Sequence, residues 1–212
     1  MTADWLRWHE AYGDPMSPLS MRLNDVIEAT SSMLDSAHPG PIRMLSLCAG
    51  DARDIASVLA GHPRHEDVTG CAVELDPTLA SQASVNLAVT DGRVSVLCAD
   101  AGNPAFWQQF LPVDLLILVG IFGNISDSDV EQLIKAVPTI CGQWGSIVWT
   151  RHRRDPDLTP SIRRWFDEVG CAAQSFRSPG PNGYAVGTET FVHARRPSPL
   201  PRRLFSFVAA TS

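Results

Sequence analysis

Short apolar runs bounded by turn residues alternate along the chain with longer segments of helical spacing. Ile42–Leu47, Val68–Leu75, Val94–Ala99, Leu115–Val119 and Gly145–Thr150 read as buried strands, each short, apolar and rich in branched side chains. Ala52–Ala60, Thr78–Val89 and Asp127–Ile140 read as the helices between them. Gly61 and Pro63 end the first, and Asp91-Gly92 follows the second. Ser126 caps the third, with acidic residues in its first turn, where the helix dipole favours them. Pro104–Phe110 is a short helix or turn. After the fifth strand, Thr159 and Pro160 start a helix that reaches Val169 and closes at Gly170. Ala172–Phe176 and Tyr184–Ala194 form a hairpin-like pair around the loop Ser178–Gly183. Upstream, Trp5–Tyr12 and Leu19–Leu34 are helical with a break at Gly13-Asp14-Pro15, and His38-Pro39-Gly40-Pro41 links them to the first strand. Strands alternating with helices predict an α/β fold with a mainly parallel sheet.

Composition narrows the function classes. With 212 residues one domain, or one domain with a short lid, is expected, and 44% apolar against 19% charged residues is enough to build a core. Seventeen basic and 23 acidic residues give a net charge of −6, which argues against nucleic acid or an anionic membrane as partner. The charge is unevenly spread: residues 1–150 carry 7 basic and 18 acidic side chains (−11), and residues 151–212 carry 10 and 5 (+5). The most apolar stretch, Leu115–Phe122, is far shorter than the roughly 20 residues that span a bilayer. The amino terminus has no secretory pattern, so a cytoplasmic location is expected. Cys48, Cys71, Cys98, Cys141 and Cys171 stand singly, which suggests free thiols rather than disulfides or a zinc site. His62 and His65 are spaced HxxH but in a proline-containing loop beside acidic residues, so no metal site is expected there. GxSxG and P-loop patterns are absent.

The chemistry gathers at predicted strand tips. In a doubly wound sheet, ligands bind at the carboxyl ends of the strands near the switch point. The first strand leads into MLSLCAGDARD, where the small residues Cys48, Ala49, Gly50 and Ala52 let backbone approach a ligand. The second ends in AVELDP with Glu74 at its tip, placed as an acid about 20 residues beyond a glycine turn is placed to hold both hydroxyls of a ribose. The third ends in LCADAG with Asp100 at its tip.

A small-residue turn followed by two carboxylates on successive tips resembles the class I S-adenosylmethionine-dependent methyltransferases, and the order of elements matches over roughly 41–194. The resemblance implies a Rossmann-like, seven-stranded, mainly parallel sheet with helices on both faces. Residues 1–40 would be an N-terminal helical lid and 195–212 a C-terminal tail, in which Leu204–Val208 can dock as an edge strand. It implies S-adenosylmethionine as cofactor. The amino-acid part of the cofactor would lie on the turn that follows Ser46 (Cys48, Ala49, Gly50, Asp51), the ribose on Glu74 beside Leu75, and the adenine on Asp100 and the Ala101 N–H. The family's first motif has an acid and three glycines where this chain has Ser46, Cys48, Gly50 and Ala52, so only the middle glycine remains. Asp51 and Asp54 add negative charge that disfavours a pyrophosphate and suits an ammonium or sulfonium.

The acceptor is expected beyond the fourth and fifth strands. Val119 and Gly120 would let backbone approach the reacting methyl, Phe122 would wall the pocket, and Asn124 would orient an acceptor or bond its own turn. The Asn/Asp-Pro-Pro-aromatic motif of amide- and base-methylating members is missing here, which turns the expectation away from nucleic acid and protein amides. His152 is the candidate general base and Arg151 a candidate partner for an anionic substrate group. Tyr12 or Arg22 would meet the cofactor carboxylate, and Trp8 and His9 the substrate. The reading is a methyltransferase acting on a small-molecule metabolite by O-, N- or C-methylation. Alternatives are a silent cofactor-binding scaffold, to which the two missing glycines point, an aminopropyl transferase, or an NAD-dependent oxidoreductase. A homodimer through the hairpin end or N-terminal helices is left open.

Overall fold

The computed structural model describes residues 14, 17–180 and 183–208. Its elements are α1 (Pro18–Ser36), β1 (Ile42–Leu47), α2 (Arg53–Leu59), β2 (Val68–Glu74), α3 (Pro77–Asn86), β3 (Val94–Cys98), β4 (Val113–Leu118), α4 (Asp127–Lys135), α5 (Val137–Ile140), β5 (Cys141–His152), α6 (Thr159–Glu168), β6 (Cys171–Arg177) and β7 (Tyr184–Phe191). They build a seven-stranded sheet in the order β3-β2-β1-β4-β5-β7-β6. The pairs among β1 to β5 are parallel, and β7 runs antiparallel between β5 and β6. The expected α/β architecture is the observed one. Strand order reverses between β1 and β4, so the turn after β1 stands at the switch point.

Local sequence explains most boundaries. Ser17, Asp76 and Ser126 cap α1, α3 and α4 by accepting from backbone N–H groups two or three residues on, and Pro18 and Pro77 occupy first helical positions, where no donor is lost. The single helix expected over Asp127–Ile140 is instead broken at Ala136. Pro138 has no N–H to give, and its ring crowds the carbonyl four residues back, at Ile134. β5 is longer than its apolar run because Cys141 and the following residues continue it from the end of α5, with Trp144 at φ 68° and a register shift opposite Val113 and Leu115.

Each face of the sheet has its own core. On one side α1, α2 and α3 bury Val26, Met33, Leu34, Ile55, Leu59 and Ala83 against Met44, Leu115 and Val148. The helix Pro18–Ser36, expected as part of an N-terminal helical lid over 1–40, is present and packs as a layer on this face of the sheet; Trp5–Tyr12 lies outside the described residues. On the other side α4 to α6 bury Val130, Leu133, Ile162 and Phe166 against Leu116, Ile147 and Trp149. The link from β3 to β4 holds only two short 3-10 turns, Pro104–Phe106 and Gln108–Phe110. The space a crossover helix would fill is taken by Trp107 together with Leu204 and Phe205 from the tail. The tail does dock, but not as an edge strand. Its only β contact among the described residues is a single bridge, Ile125 to Phe207, while β3 and β6 remain the edges.

Candidate cofactor and acceptor site

The turn after β1 keeps the backbone its composition had put in question. Cys48, Gly50 and Ala52 all adopt left-handed φ, at 56°, 58° and 53°. These are the three alternate positions that glycine would favour, and two are held by side chains that tolerate the region poorly. Hydrogen bonds hold them there. Ala49 N–H donates to the Val73 carbonyl at 2.9 Å and Ala52 N–H to the Ala49 carbonyl at 2.9 Å. The Asn86 amide donates to the Asp51 carbonyl at 2.8 Å. Ser46 is buried within β1, between Ala72 and Ile117, upstream of the turn.

Glu74 is buried at the tip of β2 and joins two loops. Its Oε2 accepts from Gly50 N–H at 2.8 Å and its Oε1 from Asp76 N–H at 2.9 Å. Beside it Leu75 is 64% exposed, an uncovered apolar side chain at a strand tip. Burial pushes the Cys48 thiol well up, and the charges of Glu74 and Asp100 push it further. Ala49 N–H bonds to the Val73 carbonyl and Ala99 N–H to the Glu74 carbonyl, both at 2.9 Å, which ties turn, second tip and third tip side by side. Ala101 is buried, and its carbonyl accepts from Trp107 Nε1 at 2.9 Å.

The negative charge at this end is smaller than a residue count implies. Asp51 is buried, and Arg53 Nε donates to both its oxygens at 3.0 and 2.9 Å. Asp54 is pushed up to about 6, chiefly by burial and further by Asp51. Asp100 is paired with Arg203, whose Nη2 lies 2.9 Å from Oδ2. Arg22, on α1, favours the ionised forms of both Asp54, in the turn after β1, and Tyr184, at the start of β7.

A second cluster forms where β4 and β5 end, next to the partly buried Val119. Gly120, at φ 76°, donates its N–H to Thr150 Oγ1 at 2.9 Å. Asn124 Nδ2 donates back to the Gly120 carbonyl at 2.7 Å, so the amide closes its own turn. His152 packs against this turn: a Cβ on Gly123 would lie 3.2 Å from the imidazole Cδ2. His152 Nδ1 is buried without a hydrogen-bond partner. Its pKa is lowered from the ordinary histidine value, first by burial, then by Arg151 and Arg154.

Phe122 and Arg151 are placed differently from the expectation. Phe122 is wholly buried, with its ring centroid 6.0 Å from Trp149 and 6.5 Å from Phe166, so it packs the core and walls no pocket. Arg151 is 9% exposed; its Nη1 donates to the Phe122 carbonyl and its Nη2 lies 3.6 Å from Asp127. Its guanidinium braces β5 to the β4 loop instead of projecting to solvent. Trp8, His9 and Tyr12 lie outside the described residues.

An open cavity of about 590 Å3 adjoins the β5 end, lined by Met21, Asn24, Asp25, Phe176, Arg177 and Tyr184 among others. Tyr184 pairs with His152 in the β5–β7 register and donates its hydroxyl to Asp25 at 2.7 Å. Arg177 lies 3.2 Å from the same carboxylate. Sequence reasoning missed Thr150, Arg53 and this Asp25–Tyr184–Arg177 network. Thr150, Asp25, Tyr184 and Arg177 meet partners far along the chain, so no local pattern points to them, whereas Arg53 pairs with Asp51 only two residues before it. Among the described residues there is no cluster able to hold a metal ion, and no helix long and apolar enough to cross a membrane.

No family model matches the sequence, and no curated protein does. Solved structures do match in shape. The precorrin-6y C5,15-methyltransferase of Geobacter metallireducens aligns at TM-score 0.57 and 18% identity, over 78% of this chain and 88% of its own. An O-methyltransferase family 2 protein of Planctomyces limnophilus, solved with apigenin, aligns at TM-score 0.62 and 15% identity, over 82% and 60%. The chain has the class I methyltransferase fold. A structure of a fibrillarin/Nop5p complex also aligns, at TM-score 0.57 and 15% identity, over 78% of this chain and 81% of the matched one, so proteins of this shape include one held in a protein complex. The chain spans about three fifths of the apigenin-bound structure's length.

Proposed function

We propose that the chain is an S-adenosylmethionine-dependent methyltransferase that methylates a small molecule. One observation carries the reading. The turn after β1 holds left-handed backbone at Cys48, Gly50 and Ala52 and is tied by Gly50 N–H to a buried carboxylate on the next strand tip. This arrangement suits the cofactor: small residues and exposed backbone for its amino-acid part, Glu74 for the ribose hydroxyls, the uncovered Leu75 for a purine face, and Asp100 for an exocyclic amine. A pyrophosphate suits it less, because Glu74 already accepts the Gly50 N–H and Asp54 stands in the first turn of α2.

When bound, the cofactor supplies an electrophilic methyl on a sulfonium. The chain's residues would orient and dry the site. Gly120, whose amide is fixed by Thr150, presents backbone at the β4 tip, and Asn124 holds that turn in shape. His152 is the proposed base. Burial and two neighbouring arginines keep its imidazole neutral near pH 7, so a lone pair is available to take a proton from an acceptor hydroxyl or amine. The acceptor would enter by the cavity beside Tyr184. The small-molecule reading draws support from the acidic net charge and from the apigenin-bound and precorrin neighbours.

Methyl transfer from labelled cofactor to a broad metabolite panel tests the reaction. His152→Ala is expected to lower turnover about 100-fold or more with cofactor affinity unchanged. Unchanged turnover in that variant would remove His152 from the mechanism. Tight cofactor binding without transfer to any acceptor would favour the silent scaffold.

A further inference from the structure

The tail carries a charged side chain into the proposed cofactor site. Asp100 Oδ1 accepts from Gly102 N–H at 2.8 Å, and its Oδ2 meets Arg203 at 2.9 Å. The backbone at Arg203 and beyond it is held, beginning with Gln132 Nε2, which donates to the Arg203 carbonyl at 3.2 Å. Leu204 N–H donates to the Gly102 carbonyl at 2.8 Å, and Gln132 Nε2 donates to the Leu204 carbonyl at 2.6 Å. Ser206 N–H donates to Asp129 at 3.0 Å and Val208 N–H to the Asn124 carbonyl at 2.9 Å. Gly102 has no room for a side chain, since a Cβ there would lie 2.2 Å from the Phe205 carbonyl oxygen. Leu204 and Phe205 are buried. The Arg203 side chain is 53% exposed, and its Nη1 makes only long bonds, to the Phe205 carbonyl at 3.4 Å and to Ser206 Oγ at 3.5 Å, so an exposed cation is mounted on a held backbone.

We infer that Arg203 is a latch on the purine end of the cofactor site. It holds the Asp100 carboxylate against the exocyclic amine of an adenine. The inference rests on the proposed assignment of Asp100 to the purine. Oδ1 of Asp100 accepts from its own turn and Oδ2 faces the Arg203 guanidinium, so an amine that reaches Oδ2 shares it with a cation that partly neutralises its charge. An ion pair this exposed is weak and easily broken, and it lowers purine affinity by up to about five-fold. It is also screened by salt. Purine binding to the wild-type chain should therefore strengthen as ionic strength rises, opposite to the usual trend for a charged ligand.

The test uses 5′-methylthioadenosine, a nucleoside without net charge, so salt acts on the protein alone. Calorimetry on the full chain compares wild type, Arg203→Lys and Arg203→Ala at low and high salt, with S-adenosylhomocysteine as a parallel ligand. Arg203→Ala is expected to bind the nucleoside about three- to five-fold tighter at low salt, with the gap closing at high salt, and Arg203→Lys is expected to follow wild type. Equal or weaker nucleoside binding by Arg203→Ala at low salt overturns the latch while leaving the cofactor reading standing. Failure of both ligands to bind any of the three proteins overturns the cofactor reading, and the latch with it.

Discussion

Cys48 and Ala52 show how the turn after β1 holds left-handed backbone without glycine at two of three positions. A left-handed residue with a Cβ costs about 1–2 kcal/mol relative to right-handed backbone. Cys48 and Ala52 adopt it at φ 56° and 53° because hydrogen bonds from Ala49, Ala52 and Asn86 leave no alternative path. At Ala52 the strain competes with a wholly buried methyl group, worth about 0.8 kcal/mol, and with the higher chain entropy of glycine. Ala52→Gly should therefore change stability by less than about 1 kcal/mol. Ala52→Val adds volume and a β-branch in the left-handed region and should cost more than 2 kcal/mol. Urea unfolding of both variants checks the pair; a tolerated valine would mean that the turn is not held as described. The three-position glycine pattern is thus a poor guide to this turn. The sequence showed that the residues were small, and only the dihedral angles show that the loop shape is kept.

At the scale of elements, strand and helix order was readable because periodicity and capping residues agree. Ser126, Thr159 with Pro160, and Gly170 mark boundaries that the structure reproduces. What was not readable depends on partners distant in sequence. Pro138 breaks a helix that the apolar pattern alone carries through to Ile140. Leu204–Val208 has strand-like composition, yet it fills the gap left where the β3–β4 link forms only short turns. Edge strands need an open sheet edge with matching register; the tail finds instead an apolar groove beside Trp107 and the backbone of Gly102 and Asn124. Phe122 and Arg151 illustrate the same limit. They stand in the segments expected to surround the acceptor, but packing against Trp149 and Phe166 and the pairing with Asp127 turn both to structural work.

For the whole molecule, the uneven charge becomes a pattern of pairs across the fold. Arg203 of the basic end meets Asp100, Arg177 meets Asp25 and Glu28, and Arg151 meets Asp127. The one acidic side chain buried deep in the basic end is Glu189 on β7. Burial pushes it up to about 7, against partial relief from Trp149 and Arg163. Its folded value lies above its unfolded value of 4.5, so the folded state holds a proton that the unfolded state releases between these values. Stability therefore falls as pH rises from about 4.5 to about 7 and levels off above, by on the order of 3 kcal/mol from this group. Asp54, raised to about 6, adds a slope of the same sign. Glu189→Gln should be more stable than wild type at pH 8 and nearly equal to it at pH 4.5. Urea unfolding at both pH values checks this, and an equal difference at both would mean that Glu189 ionises normally. The most direct test of the central claim is calorimetric titration of the full chain and Glu74→Ala with S-adenosylhomocysteine, beside NAD. The account predicts that wild type binds the adenosyl ligand and not NAD, and that Glu74→Ala weakens binding ten-fold or more, as the loss of a charged partner worth about 1.5–3 kcal/mol implies. No binding of S-adenosylhomocysteine by wild type, or a dissociation constant unchanged in Glu74→Ala, would contradict it.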